Sequence, residues 1–373
     1  MCGNEIRKMQ NWFDINKIIF LSGLLFLSAC DDGSNNRDYH EDETQISTKQ
    51  LIYGYTQGTT YTIITGDDSL LVTKDEIDQL LAHFDTSLSS YIKPSIVSKF
   101  NKAPVGTYTF VDKNYFFQRC LEESIEVYKN TQGAFNPSIY PLVAGWGFLK
   151  DPKIKMDQSK VDSLLLLVGF DTDVDFAYSR KENGAFTLTK KKANLKFDFN
   201  AIAQGLSVDE VALYMEQKGH KNYFVEIGGE VKVKGRNREG HFWRIGVDAP
   251  KESNDGREQV RDLTNVVNLR YGAVATSGNY RKFYEKEGIK YSHTIDPMTG
   301  YPVQHTLLSA TVWSDNCAKA DAYATAFMVM GVEDTKLFLE QHPELKLEVL
   351  LIFSNDKGRM EKFYTPGMKR FLD

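Results

Sequence analysis

An α+β fold with mainly antiparallel sheets and packed helices is what this sequence predicts, and two observations carry that expectation. Runs with strand character stand beside one another as often as they alternate with helical periodicity, which disfavours a doubly wound parallel sheet. Hydrophobic residues make up 42% and aromatics 12% of the 373-residue chain, enough for a substantial core. The expected organisation is a removable leader over 1–30, a polar tether over 31–50 and a globular part over 51–373.

The leader reads as a processing signal. Arg7, Lys8 and Lys17 precede an apolar run from Ile18 to Leu27, which closes in Leu27-Ser28-Ala29-Cys30. That run is too short to cross a bilayer as a stable helix, which takes about 20 apolar residues. The closing four residues look like a bacterial lipobox, so Cys30 is expected to be lipidated and to begin the mature chain. An ordinary signal peptide with a chance cysteine is the plainer alternative, and Met9 is an alternative start. From Asp31 to Gln50 there are six acidic residues and almost nothing to bury, the composition of a disordered tether. The net charge of -5, with no Lys/Arg stripe, argues against a nucleic-acid partner. Beyond Cys2 and Cys30 only Cys120 and Cys317 remain. A bridge between them is permitted in an oxidising compartment, but cysteines within helical patterns are more often buried and reduced.

Along the globular part, residues 51–64 are rich in Tyr, Thr and Ile with turn residues at the centre, predicting paired strands around Gln57-Gly58-Thr59. Thr73 and Glu76 form a capping-box pattern ahead of Ile77, Leu80, Leu81 and Phe84 at helical spacing. A second helix is expected from Phe116 to Thr131, with Phe117, Cys120, Leu121, Ile125 and Tyr128 inward and Gly133 as the stop. A third covers Ser159 to Val168. The second half predicts strands at Tyr223–Val233, Phe242–Val247, Leu307–Trp313 and Leu347–Phe353, with helices near 204–218, 317–330 and 332–342.

Five segments are too rich in Gly, small polar and acidic residues to be core alone. Asp198–Asp209 (DFNAIAQGLSVD) enters a helix through small residues, so its backbone could approach a ligand and its N-terminus could favour phosphate. Such turns are also common as plain structure. In Val225–Val231 (VEIGGEV) the paired glycines mark a bulge, a close backbone approach or a simple kink. Ala275–Tyr280 (ATSGNY) and Tyr291–Gly300 (YSHTIDPMTG) read as polar turns enclosing His293, which Asp296 could orient as an acid or base. On the helix carrying Ala320–Phe327, Asp321 and Thr325 are spaced i, i+4 and share a face flanked by alanines. A carboxylate and a hydroxyl there suit a small hard cation such as Mg²⁺, although a Thr bonding back along its helix is the bland alternative. Gly133–Phe148 (GAFNPSIYPLVAGWGF) cannot be one continuous helix and offers either an apolar slot for a planar ring or a packed loop.

Taken in order, these segments resemble the ApbE family of FAD:protein FMN transferases over nearly all of 51–373. The resemblance is carried by GTTYT, the SLSSY…SKFN stretch, GAFNPSIYPLVAGWGF, DFNAIAQGLSVD, EIGGEVKVKG with FWRIGVDAP, ATSGNYRKF, YSHTIDPMTGYPV and ADAYATAFMVMG. It implies a T-fold-like single catalytic domain and a lipoprotein facing the periplasm. It further implies Mg²⁺ held by Asp321, Thr325 and the Ala201 carbonyl, FAD contacts at Gln57, Tyr91, Ala134, Phe135, Asn136, Asp198 and Gln204, and His293 as the acid/base. Gln57, Asn136 and Gln204 depart from residues common in the family at those places: Met, Asp, and Lys or Glu. The implied reaction moves FMN from FAD to a Thr or Ser hydroxyl of an acceptor flavoprotein and releases AMP. The same site could instead hydrolyse FAD to FMN and AMP, or bind flavin without chemistry.

Overall fold

A computed structural model describes residues 50–148, 156–248, 263–279, 283–286, 289–292 and 294–372. The leader, most of the tether, Cys30 and His293 lie outside the described residues.

The frame is an eight-stranded antiparallel sheet. Its strands, in spatial order, are β1 (Leu51–Thr56), β2 (Thr59–Thr65), β6 (Tyr223–Ile227), β7 (Glu230–Lys234), β10 (Tyr271–Gly278), β13 (Leu307–Ser314), β14 (Glu348–Ser354) and β15 (Met360–Tyr364). Strands β3 (Gly106–Val111), β4 (Phe176–Arg180) and β5 (Ala185–Lys190) form a separate sheet, and β8 (Trp243–Asp248) pairs with β9 (Leu263–Leu269). A small ribbon joins β11 (Phe283–Lys286) to β12 (Ile289–Ser292). Antiparallel pairing throughout bears out the expected α+β class.

The helices are α1 (Lys74–Leu88), α2 (Ile96–Lys102), α3 (Phe116–Asn130), α4 (Tyr140–Gly145), α5 (Gln158–Leu165), α6 (Ala203–Gln217), α7 (Cys317–Gln341) and α8 (Pro366–Phe371). Thr73 and Glu76 cap α1 reciprocally, as their spacing predicts. Helices α1 and α6 bury Ile77, Leu81, Val208, Val211 and Met215 against Tyr61, Ile63 and Val225 of the sheet. Val349 and Leu351 of β14 face the core that contains α3 and α7, while Leu350 and Ile352 face the β8–β9 ribbon. Both faces of this strand are covered, which explains its unbroken apolar run. No helix among the described residues is long and apolar enough to cross a membrane.

Three expectations need correction. Tyr223–Val233 is two strands and not one, because Gly228 and Gly229, both at positive φ, turn β6 into β7 as a hairpin. Ala275–Gly278 lies within β10 and is not a turn: its backbone pairs residue for residue with β13, which asks nothing of the side chains. The third helix ends at Leu165, short of Val168. The expected break between 317–330 and 332–342 is present, since Gly331 at φ 79° interrupts α7. Cys120 and Cys317 are buried and unbridged.

Candidate active site

The site begins where the N-terminus of α6 meets α7. The backbone N–H of Gly205, one of the amides that an α-helix leaves unpaired at its start, donates to Asp321 Oδ2 over 3.1 Å. A methyl group on Gly205 would come within 2.4 Å of the Cys317 carbonyl oxygen, so only glycine lets the two helices approach this closely. Burial pushes the Asp321 carboxyl up to about 7, against the pull of that amide; a bound cation would favour its ionised form. One turn along α7, the Thr325 hydroxyl lies 3.2 Å from the Ser277 hydroxyl on β10. Ser277 was not among the residues expected from sequence. Its signal was present, though, in the polar ATSGNY string.

Ala201 precedes α6 in the turn after Asp198, and its carbonyl accepts no hydrogen bond among the described residues. A carboxylate, a hydroxyl and a free carbonyl make an all-oxygen donor set, the kind that a hard divalent cation takes. The residues therefore fit such an ion.

Asp209, also on α6, fixes where α7 starts. Its two carboxylate oxygens accept from the N–H groups of Cys317 (3.0 Å) and Ala318 (2.9 Å), and Lys232 Nζ of β7 sits 2.6 Å from the first of them.

Gln57 and Gln204 lie on one side of this centre. Gln57 and Gly58 both have positive φ between β1 and β2, the pattern of a type I′ hairpin turn. Ser207 Oγ donates to the Gln57 side chain at 3.4 Å and to the Gln204 carbonyl at 2.7 Å. Gln204 Nε2 donates to the Ile227 carbonyl at 3.3 Å and crosses Gly228 so closely that a methyl group there would lie 1.6 Å from it. The paired glycines thus serve both as a turn and as a close approach.

The Gly133–Phe148 segment joins from another direction. Asp198 N–H donates to the Pro137 carbonyl at 2.7 Å, bringing Asn136 beside the Asp198 turn. Burial raises the Asp198 carboxyl above its usual range, and the Asn200 amide opposes that rise. Asn136 Oδ1 is already engaged by the amide and hydroxyl of Ser138, so its free group toward a ligand is the amide NH₂. The ring of Phe135 is in the main core, which leaves Ala134 and Phe135 to offer a ligand their backbone. The apolar slot expected here is filled: Leu142 and Trp146 pack with Val161 and Ile295 into a small core of their own. Trp146 Nε1 donates to the Gly300 carbonyl at 2.8 Å, tying the Thr294–Gly300 turn to this segment.

Asp296 builds that turn with both oxygens, which accept from the Met298 amide and the Thr299 hydroxyl. His293, which Asp296 is expected to orient, lies outside the described residues. Thr294 Oγ1 donates to the Asn279 side chain at 2.8 Å, holding the residue after His293 against the end of β10. Tyr91 is 74% exposed, and among the described residues no side-chain hydrogen bond links it to the rest of the site.

The N-terminus of α6 thus packs on α7 beside an antiparallel sheet, an α+β arrangement that sets Asp321 against the first amides of α6. The chain belongs to the ApbE family, whose model matches residues 57–351. The FAD:protein FMN transferase of Vibrio cholerae is 32% identical over 98% of this chain and 99% of its own. The Haemophilus influenzae protein of the same name is 33% identical over 93% and 95%. A solved flavin transferase ApbE from Vibrio cholerae has a TM-score of 0.71 to this structure at 32% identity, covering 86% of this chain and 98% of its own.

Proposed function

We infer that this protein is an FAD:protein FMN transferase. The observation that carries the reading is similarity along nearly the full chain to proteins of that name, in a chain that keeps Asp321 and Thr325 one turn apart on α7.

The finer reading is that FAD binds with Mg²⁺ and gives up FMN to a Thr or Ser hydroxyl of an acceptor flavoprotein. The acceptor oxygen forms a bond to the FMN-side phosphorus, the bridging P–O bond breaks, AMP leaves and the hydroxyl proton passes to a base. Mg²⁺, when bound, neutralises charge developing on the phosphates and aligns the displacement. The all-oxygen donor set supports Mg²⁺ as the ion. Asp198, Asn136 and the backbone of Ala134 and Phe135 orient the flavin half, while Gln57 and Gln204 hold the nucleotide by hydrogen bonds. Tyr91, exposed, supplies an aromatic face at the rim. His293 takes the proton; its position within SHTIDP, next to the Asn279-anchored Thr294, supports this. The charged leader and the Leu27–Cys30 lipobox support export and lipid anchoring through Cys30 to a bacterial membrane, facing the periplasm.

The test uses the protein from residue 31 onward with FAD, Mg²⁺ and a candidate acceptor domain from the same genome, read by in-gel flavin fluorescence and intact mass. Addition of one FMN to the acceptor, with AMP released and an EDTA control blank, is the expected result. Free FMN and AMP without labelling would indicate hydrolysis, and intact FAD would indicate binding alone.

A further inference from the structure

Glu230 is a carboxylate to which neither the fold nor the proposed reaction gives a task. It opens β7 immediately after the Gly228-Gly229 turn and is 9% exposed. Its Oε2 is sealed from solvent and meets no hydrogen-bond donor among the described residues. An unpaired buried carboxylate oxygen is costly unless something positive faces it.

Its direction follows from strand alternation. Val231 and Val233 point into the core shared with the β8–β9 ribbon. Glu230 and Lys232 therefore point the other way, toward α6 and α7, as the Lys232–Asp209 pair confirms. Lys232 and Lys234 are the cations on this face of β7 among the described residues, and Asp209 holds the first while Glu216 holds the second. The path of α7 shows what lies above Glu230. Cys317 Sγ rests 3.8 Å from the Val231 carbonyl of β7, and Thr325 Oγ1 touches Ser277 of β10, the next strand over. The two contacts are eight residues apart, about 12 Å along the helix, so α7 crosses from β7 to β10 obliquely between them. Asp321, four residues from each contact, accordingly sits over the β7–β10 seam. Ala273 and Ala275 of β10, both buried, present only methyl groups beneath it. Glu230 faces that seam from β7.

We propose that Glu230 is a further carboxylate of the cation site, acting on the ion directly or through a bound water, so that the site presents two acidic side chains to Mg²⁺. The inference rests on the Mg²⁺ reading proposed above. Two carboxylates under one covered layer repel until a divalent cation neutralises them. Replacing Glu230 by Gln thus has opposite effects on the empty and loaded protein. The empty form keeps or gains stability, and the ion is held more weakly.

The experiment measures thermal unfolding of the full chain in detergent, without FAD, across a Mg²⁺ titration for wild type, Glu230→Gln, Glu230→Asp and Asp321→Asn. Expected is a wild-type melting temperature that rises with Mg²⁺. In Glu230→Gln the half-saturating concentration should increase about tenfold or more, with a Mg²⁺-free melting temperature no lower than wild type. Glu230→Asp, which keeps the charge, should fall between them and serves as the test if the Gln variant does not fold. A Mg²⁺ response lost in Asp321→Asn but unchanged in both Glu230 variants would overturn the role of Glu230 alone. No Mg²⁺ response in wild type would overturn it together with the Mg²⁺ reading.

Discussion

Gly205 and Asp321 are joined by a backbone-to-carboxylate hydrogen bond of 3.1 Å that spans 116 residues of chain. It occupies Oδ2 and holds the carboxylate against the N-terminus of α6, leaving Oδ1 to face the seam. Asp321→Ala is expected to lower Mg²⁺-dependent FMN transfer by about 10²-fold or more. Asp321→Asn keeps an acceptor for the Gly205 amide but loses the charge, so it should fold normally and fail to respond to Mg²⁺. Wild-type turnover in the Ala variant would refute the metal assignment.

His293→Ala should separate binding from chemistry. If the imidazole accepts the acceptor's proton, transfer falls by about 10²- to 10⁴-fold while FAD affinity, measured by flavin fluorescence quenching, changes little. Equal losses in both would mark a binding or structural residue.

Asp209 supports the site without belonging to it. Asp209→Ala removes the partner of two amides and of the half-buried Lys232 together, an expected loss of about 3 kcal/mol in urea unfolding. Asp209→Asn should recover part of this through the bond to one amide.

Gly228 combines a positive φ of +65° with the side chain of Gln204 across its face. Gly228→Ala is expected to cost about 1–3 kcal/mol. Adding Gln204→Ala should relieve the clash and leave only the backbone strain. A double variant no more stable than Gly228→Ala would mean that Gln204 moves aside freely.

Glu123 on α3 supplies a pH test away from the site. Burial, reinforced by the charge of Asp209, pushes its carboxyl up to about 7, against the Asn316 side chain that donates to it. The folded protein then holds a proton that the unfolded chain releases near the ordinary glutamate value. This contribution favours folding below that value and is progressively lost as pH rises toward 7. Glu123→Gln keeps an acceptor for Asn316 and should flatten the decline in stability over that interval, as read by urea midpoints at several pH values.

Legibility in the sequence followed the range of the interaction. The Thr73–Glu76 cap, the apolar face of α3 and the glycine break in α7 depend on residues a few positions apart, and all three are where the sequence predicts them. The three-stranded β3–β5–β4 sheet was missed because its strands are short and rich in Thr, half facing solvent. The end of β10 reads as a turn because its pairing with β13 is made by the backbone, which Ala, Ser and Gly allow without a strand-like side-chain pattern. At the site, Asp321 and Thr325 were legible from i, i+4 spacing on one helix. Ser277 and Glu230 were not, since only the order of strands brings them beneath α7.

The antiparallel order of the sheet also sets when this site can exist. Gln57, Gly205, Glu230, Ser277 and Asp321 come from the β1–β2 turn and four separate elements, and none is a local neighbour of another in sequence. These residues are brought together by long-range contacts, with β10 paired to β7 and α7 packed against both. Long-range pairings of this kind form slowly. On the proposed Mg²⁺ reading, the melting-temperature response to Mg²⁺ is expected late in refolding, where it would serve as a clock for completion of the fold.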